Sequence, residues 1–220
     1  MNAYRYAVYA VPTPDHPLWS AGARWLGRDV RGTGLPVEAP DADMVREAAR
    51  YGFHGTLKAP FRLAEGCTPS DLAAAVEALG ASPLPVSLCL SDDLGFPALR
   101  PMGETPALFR LARICTMRLD PFRAPLSVTD LARRQRARLS ERQAELLARW
   151  GYPYVLDEFR FHMTLGGSQG DPDRHRRLMA AARTFFEPLL IKPVPLALAI
   201  FVEPEQGAPF RLWRLLAGDC

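Results

Sequence analysis

The sequence predicts an α+β fold built from two related lobes that face each other. Three observations carry that reading. The phrase Phe-His-x-Thr-Leu occurs twice, at 53–57 and at 161–165, with its two histidines 108 residues apart. Each copy is followed by the same order of elements: motif strand, helix, strand, strand. A repeat of about 100 residues is too long for a solenoid unit and suits two lobes sharing a core. The chain of 220 residues is then one domain, 1–220, with a helical insert at about 127–151 between the lobe of His54 and the lobe of His162.

Each element has a local reason. The stretch YRYAVYAVP (4–12) is aromatic, β-branched and short, and prolines end it, so it reads as a strand. PLWSAGARWLG (17–27) and DADMVREAAR (41–50) read as helices. GFHGTLKAPFRL is the first motif strand, bent or ended near Pro60. In TPSDLAAAVEALG, Thr68 can cap a helix, Pro69 fills its first position, Asp71 faces the positive end and Gly80 closes it. PVSLCLSDDLGF alternates like a strand, and ALFRLAR, from Ala107, reads as its partner. In the second half EFRFHMTLGG is the motif strand. A helix follows with Asp171 as cap and Pro172 in its first turn, then PLALAIFVEPE and its partner APFRLWRLL. ALFRLAR and APFRLWR are offset by 101 residues, which places a longer loop between Phe96 and Thr105 of the first half. The insert reads as two helices, the second opened by a capping box of Ser140 and Gln143 and ended by Gly151 and Pro153.

Composition narrows the function classes. Hydrophobic content of 48% and charged content of 23% are those of an ordinary globular protein. No run of about 18 apolar residues exists, so no membrane span is expected. The N-terminus lacks the pattern of a signal peptide. Four cysteines without C-x-x-C spacing argue against a zinc site or disulfide framework, and reduced thiols in a cytoplasmic protein fit them. A net charge of +3 favours an anionic ligand without marking a nucleic-acid binder. Of the 27 basic residues only Lys58 and Lys192 are lysines. Arg133, Arg134, Arg136 and Arg138 on the insert read mainly as a solvated helix face, and so do Arg174, Arg176 and Arg177. His16 and His175 carry no assigned role.

The motif carries the chemistry. Residues two apart on a strand share a face, so His54 pairs with Thr56 and His162 with Thr164, while Phe and Leu turn to the core. Lys58 follows His54 and Thr56 in the same period, and Arg160 precedes His162 in it. Two imidazoles titrating near neutrality suit acid–base catalysis: one takes a proton from water and the other gives one to a leaving oxygen. The Thr hydroxyls can donate to phosphate oxygens, and Lys58 and Arg160 can balance phosphate charge. No metal or other cofactor is called for, since no H-x-H or H-E-x-x-H pattern is present. Tyr152 and Tyr154, just before the second motif strand, are candidates for stacking on a base or sugar.

These words resemble the 2H phosphoesterase superfamily, the RNA ligase-like cyclic phosphodiesterases with paired H-x-T motifs. PLWSAGARWLG, YGFHGTLKAPFRL, FRAPLS, LLARWGYPYV and EFRFHMTLGG are similar to the branch found with bacterial phosphonate-utilisation genes, across about 4–216 of the chain. The resemblance implies two antiparallel sheets flanking a central cleft, with helices outside. It also implies metal-free hydrolysis of cyclic or linear phosphodiesters, with His54 and His162 as acid and base and Thr56 and Thr164 as phosphate binders. A small phosphorylated substrate is expected, such as a cyclic ribose phosphate, with the protein acting as a monomer. RNA-end processing and a non-catalytic phosphometabolite-binding module are the alternatives.

Overall fold

The strand read from YRYAVYAVP forms at Arg5–Pro12 (β1), and every residue of it is buried. In this computed structural model, residues 3–32, 34–80, 82–127, 130–131, 138–168 and 170–216 are described. Most of the insert's first helix, with Arg133, Arg134 and Arg136, lies outside them.

β1 is buried on both sides because two apolar layers sandwich it. Tyr6, Val8 and Ala10 enter the larger cluster with Trp25, Leu57, Phe161 and Phe186. Ala7, Tyr9 and Val11 enter a smaller one with Phe201 and Phe210. The strand Val194–Glu203 (β7) lies beside β1 over eight residue pairs and is equally apolar. Strands covered on both faces read as continuous apolar runs rather than alternating ones, as AVYAV and LALAIFV do.

The remaining strands are Gly55–Phe61 (β2), Leu84–Val86 (β3), Leu88–Ser91 (β4), Ala98–Pro101 (β5), Met163–Thr164 (β6) and Arg211–Leu216 (β8). They form one eight-stranded antiparallel sheet, in the order β3-β7-β1-β2-β6-β5-β4, with β8 on β7. This corrects the expectation of two flanking sheets. The motif strands themselves pair, through Gly55 and Met163, and that pairing joins the halves into a continuous sheet. Six α-helices are described: Pro17–Leu26 (α1), Ala42–Tyr51 (α2), Pro69–Glu77 (α3), Pro106–Arg118 (α4), Glu141–Trp150 (α5) and Pro172–Phe186 (α6).

The N-caps of α3, α5 and α6 formed as read, whereas α3 ends at Glu77 with Ala78 as its cap, short of Gly80. Thr68 and Asp71 close a capping box on α3, and Ser140 and Gln143 close one on α5. Asp171 accepts from Asp173 and Arg174 at the start of α6. His16 caps α1 through Nδ1, accepting from Leu18 N at 3.2 Å.

ALFRLAR is a correction: it belongs to α4, not to a strand. Pro106 occupies the first turn, and Leu108, Ala112 and Cys115 are buried at helical spacing, which exceeds a seven-residue window. The strand that pairs with β4 is β5, inside the segment expected to be a loop. The second motif strand is also shorter than expected, two residues rather than ten.

Candidate active site

The register sets the site. Gly55 lies opposite Met163 in an antiparallel pair. The same register puts His54 opposite Thr164 and Thr56 opposite His162, and residues facing each other across a pair share a side of the sheet. The four motif side chains therefore surround one point where the two halves meet. Beneath that point Phe161 packs over Gly55, in the larger apolar cluster.

Both histidines are held the same way. His54 Nδ1 is 2.8 Å from Gly52 O, and His162 Nδ1 is 2.8 Å from Arg160 O. A carbonyl only accepts, so each Nδ1 carries the proton and each neutral ring leaves Nε2 as its base. His54 Nε2 lies 3.2 Å from Thr56 Oγ1, the hydroxyl donating to it. Gly52 supplies its carbonyl from a left-handed turn, φ +82°, that closes α2, and a Cβ there would run into Val30.

The rings sit in different surroundings. His54 stacks on the buried Tyr9 ring at 3.7 Å between centroids. Burial pushes its pKa down to about 4; the Gly52 carbonyl opposes this and the nearby His162 adds to it. His162 meets Phe96 edge to face at 5.6 Å. Its pKa is also lowered, by burial first and then by the charge of Arg100, against the Arg160 carbonyl. Tyr9 is pushed well above the usual phenol range by burial, so it stays neutral.

The cleft beside His162 is lined by Leu94, Phe96, Gln143, Tyr152, Tyr154, Glu158 and Arg160, about 420 Å³ in volume. It thus brings Arg160, Tyr152 and Tyr154 to the second motif. The two tyrosine rings lie edge to face at 5.6 Å, and Arg160 is exposed. One wall is the second insert helix. Arg142 on α5 grips Asp157 through two bonds of 2.8 Å, and Gln143 donates to Glu158 at 2.9 Å.

Lys58 is placed differently from the expected face. β2 carries a bulge: Thr56 pairs with Tyr9, but Lys58 pairs with Val8, the very next residue of β1. The extra residue breaks the alternation. Lys58 is 4% exposed. Its Nζ donates to Thr116 O at 2.9 Å and to Asp120 Oδ1 at 3.0 Å. Its charge is committed to α4 and the turn after it. Burial lowers its pKa, opposed by Asp120.

Sequence reasoning missed Arg100. Ala98 pairs with Thr164 and Leu99 with Met163; extended by one residue this register puts Arg100 opposite His162, and its charge acts on that ring. Arg100 pairs with Asp93, and its buried Nε has no partner among the described residues. The segment holding it was read as a loop, which hid its place on a strand. Tyr9 on β1 also joins the site, through its stacking contact with His54.

Fold and site together define a class: a mixed α/β protein with a single antiparallel sheet that sets two His-x-Thr units side by side. A family model described as "Protein of unknown function (DUF1045)" matches residues 56–211, and the chain belongs to that family. It is similar to two curated proteins, both named ribose 1,5-bisphosphate phosphokinase PhnN. The one from Laribacter hongkongensis (strain HLHK9) is 43% identical over 226 residues, covering 98% of this chain and 53% of that protein. The one from Janthinobacterium sp. (strain Marseille) is 38% identical over 227 residues, covering 96% of this chain and 50% of that protein. The chain spans about half the length of the curated relatives it matches. Among the described residues no helix is long and apolar enough to cross a membrane.

Proposed function

We propose that this chain is a metal-independent phosphoesterase that opens a cyclic phosphodiester on a ribose phosphate, in phosphonate utilisation, by two-histidine acid–base catalysis. The observation that carries the reading is the pairing of Gly55 with Met163, which sets both imidazoles and both threonine hydroxyls on one side of the sheet. His54 is the base: its Nε2 is unprotonated at neutral pH and already accepts a hydrogen bond. It takes a proton from water as the water oxygen bonds to phosphorus. The P–O bond to the sugar breaks, and His162, which acts in its imidazolium form with both ring nitrogens protonated, gives its Nε2 proton to that departing oxygen. The product is a phosphomonoester and a free hydroxyl, and solvent returns both rings to their starting states. Thr164 donates to a non-bridging oxygen, Thr56 does so once the attacking water takes its place at His54 Nε2, and Arg100 and Arg160 offset the phosphate charge.

The relatives' name supports the choice of sugar. Opening a 1,2-cyclic phosphodiester of a 5-phosphorylated ribose by breaking its P–O bond to the carbon-2 oxygen leaves phosphates at carbons 1 and 5 and a free 2-hydroxyl, which is the compound named for those phosphokinases. The phosphokinase step itself is not assigned to this half. A phosphate-cradling loop of the G-K-[ST] type needs lysine after glycine, and Lys58 follows Leu57 while Lys192 follows Ile191.

The test is ³¹P NMR of a panel of cyclic phosphodiesters, including ribose 1,2-cyclic phosphate, with EDTA present. His-dependent turnover is expected. Turnover lost with EDTA, or ATP-dependent phosphorylation of ribose 1,5-bisphosphate without hydrolysis, overturns the reading. Tight binding of the panel without turnover reduces it to a binding module.

A further inference from the structure

The cleft beside His162 holds one charge that the chemistry above does not use. Glu158 lines it together with Gln143, Tyr152, Tyr154 and Arg160, in a volume of about 420 Å³. That is room for a whole sugar phosphate. Glu158 is half-buried, and among the described residues its carboxylate has no cation partner. Arg160 shares the cleft and is not paired with it. Arg142, which reaches the neighbouring residue, directs its fork to Asp157 and Glu145 instead.

The carboxylate is nevertheless held in place. Gln143 Nε2 donates to Glu158 Oε2 at 2.9 Å. The direction of that amide is fixed from its other end, because Gln143 Oε1 accepts from Ser140 N at 3.1 Å in the capping box of α5. The turn that carries the carboxylate, Leu156–Glu158, opens on Leu156 at φ +55°, the one left-handed non-glycine residue among those described. Arg142 clamps the same turn through Asp157 by two bonds of 2.8 Å. Two successive residues of α5 thus set the turn, and Glu158 Oε1 has no donor among the described residues.

An ionised carboxylate only accepts hydrogen bonds. It repels a phosphate and attracts a hydroxyl, and a charge-assisted bond of this kind is roughly twice as strong as a neutral one. Beside an anion site, a fixed carboxylate therefore selects which side of the substrate turns inward. Arg160 suits phosphate oxygens, and Glu158 suits a hydroxyl. A ribose bearing a 1,2-cyclic phosphodiester and a 5-phosphate has a single free hydroxyl, on carbon 3. The two tyrosines offer apolar ring surface to the C–H face of such a sugar.

We propose that Glu158 is a specificity-determining residue of this site, which accepts the carbon-3 hydroxyl of the ribose while its charge keeps the phosphates on the side of the histidines and Arg160, and that Gln143 is the positioning residue that aims it. The inference deepens the reading of the catalytic site given above and rests on it. It makes the enzyme selective for ribose over 3-deoxy sugars.

Titration calorimetry compares 5-phosphoribose 1,2-cyclic phosphate with its 3-deoxy analogue, in a His54→Gln background so that neither probe is consumed. The parent compound is expected to bind at least about tenfold tighter than the analogue. Glu158→Ala brings that ratio to about one by weakening the parent compound alone. Glu158→Met serves where the alanine variant does not fold, and gives the same ratio. Gln143→Leu releases the carboxylate and lowers the ratio as well. Glu205→Ala removes the same charge from an exposed bend after β7 and leaves the ratio unchanged. Equal affinities for the two probes before any change at Glu158, or a ratio that survives both Glu158 variants, overturns the assignment. An unchanged ratio in Gln143→Leu overturns its positioning role. The catalytic reading fails separately: the wild type then shows no turnover of the parent compound by ³¹P NMR while the binding ratio stands.

Discussion

Gly55→Ala probes the joint between the two halves. Gly55 sits between His54 and Thr56 and pairs with Met163. Its backbone is not left-handed, so alanine meets no conformational penalty there. The added methyl instead lands inside the Phe161 ring, overlapping Cζ and Cε2 and lying 3.1 Å from Cε1. That ring is 1% exposed and lies in the main cluster, so it has no solvent to swing into. Overpacking of this kind costs about 1–3 kcal/mol. The lower unfolded-state entropy of alanine returns about 0.4–1 kcal/mol of that at most. The expected net loss is about 1–2 kcal/mol by urea denaturation. Phe161→Leu makes room for the methyl, so the double variant loses less than the sum of the two singles, by about 1 kcal/mol of coupling. Strict additivity in that cycle would refute the packing of Phe161 over Gly55, and with it the register that faces the two motifs.

Four more outcomes follow from the charges. His54 is neutral in the fold down to about pH 4, while in the unfolded chain it protonates near 6.5. Its contribution is thus fully present above pH 6.5 and lost as pH falls towards 4, about 3 kcal/mol at most. Denaturation at pH 7 and pH 5 reads this, and His54→Gln flattens the dependence. Because His162 is also lowered, kcat/KM should decline on its basic side with a midpoint below 6.5; a midpoint above 7 in the free enzyme contradicts the assignment. Arg100→Gln removes a charge that lowers His162, so the His162 midpoint in an NMR titration moves up, and the basic limb of kcat/KM moves with it. Asp120→Asn strips the acid from buried Lys58, at a cost of about 3 kcal/mol; a loss below about 1 kcal/mol means the ammonium is solvated.

Much of this was legible in the letters because local chemistry decided it. The helices α3, α5 and α6 announce themselves through Thr68, Ser140 and Asp171. The His-x-Thr phrase, written twice, marks the candidate site within the sequence itself. Three things were not legible. Strand partnership is non-local, so β5 was hidden in a Pro- and Gly-containing stretch, and with it Arg100. A seven-residue window of ALFRLAR cannot distinguish strand from helix, although 106–118 as a whole can. A bulge inserts one residue and turns every later side chain, which is why Lys58 left the face predicted from a two-residue period. The single sheet has the same origin. One residue pair, Gly55 with Met163, decides between two sheets and one, and nothing local encodes it.

The account stands or falls on whether both imidazoles act on one phosphorus. The direct measurement is ³¹P NMR of 5-phosphoribose 1,2-cyclic phosphate hydrolysis by wild type, His54→Ala, His162→Ala and the double variant, with EDTA present. Both single variants are expected to lose at least about 100-fold in kcat. The double variant should fall little further, because the two rings serve one proton transfer chain. Full activity in either single variant, or independent multiplicative losses in the double, contradicts a shared site.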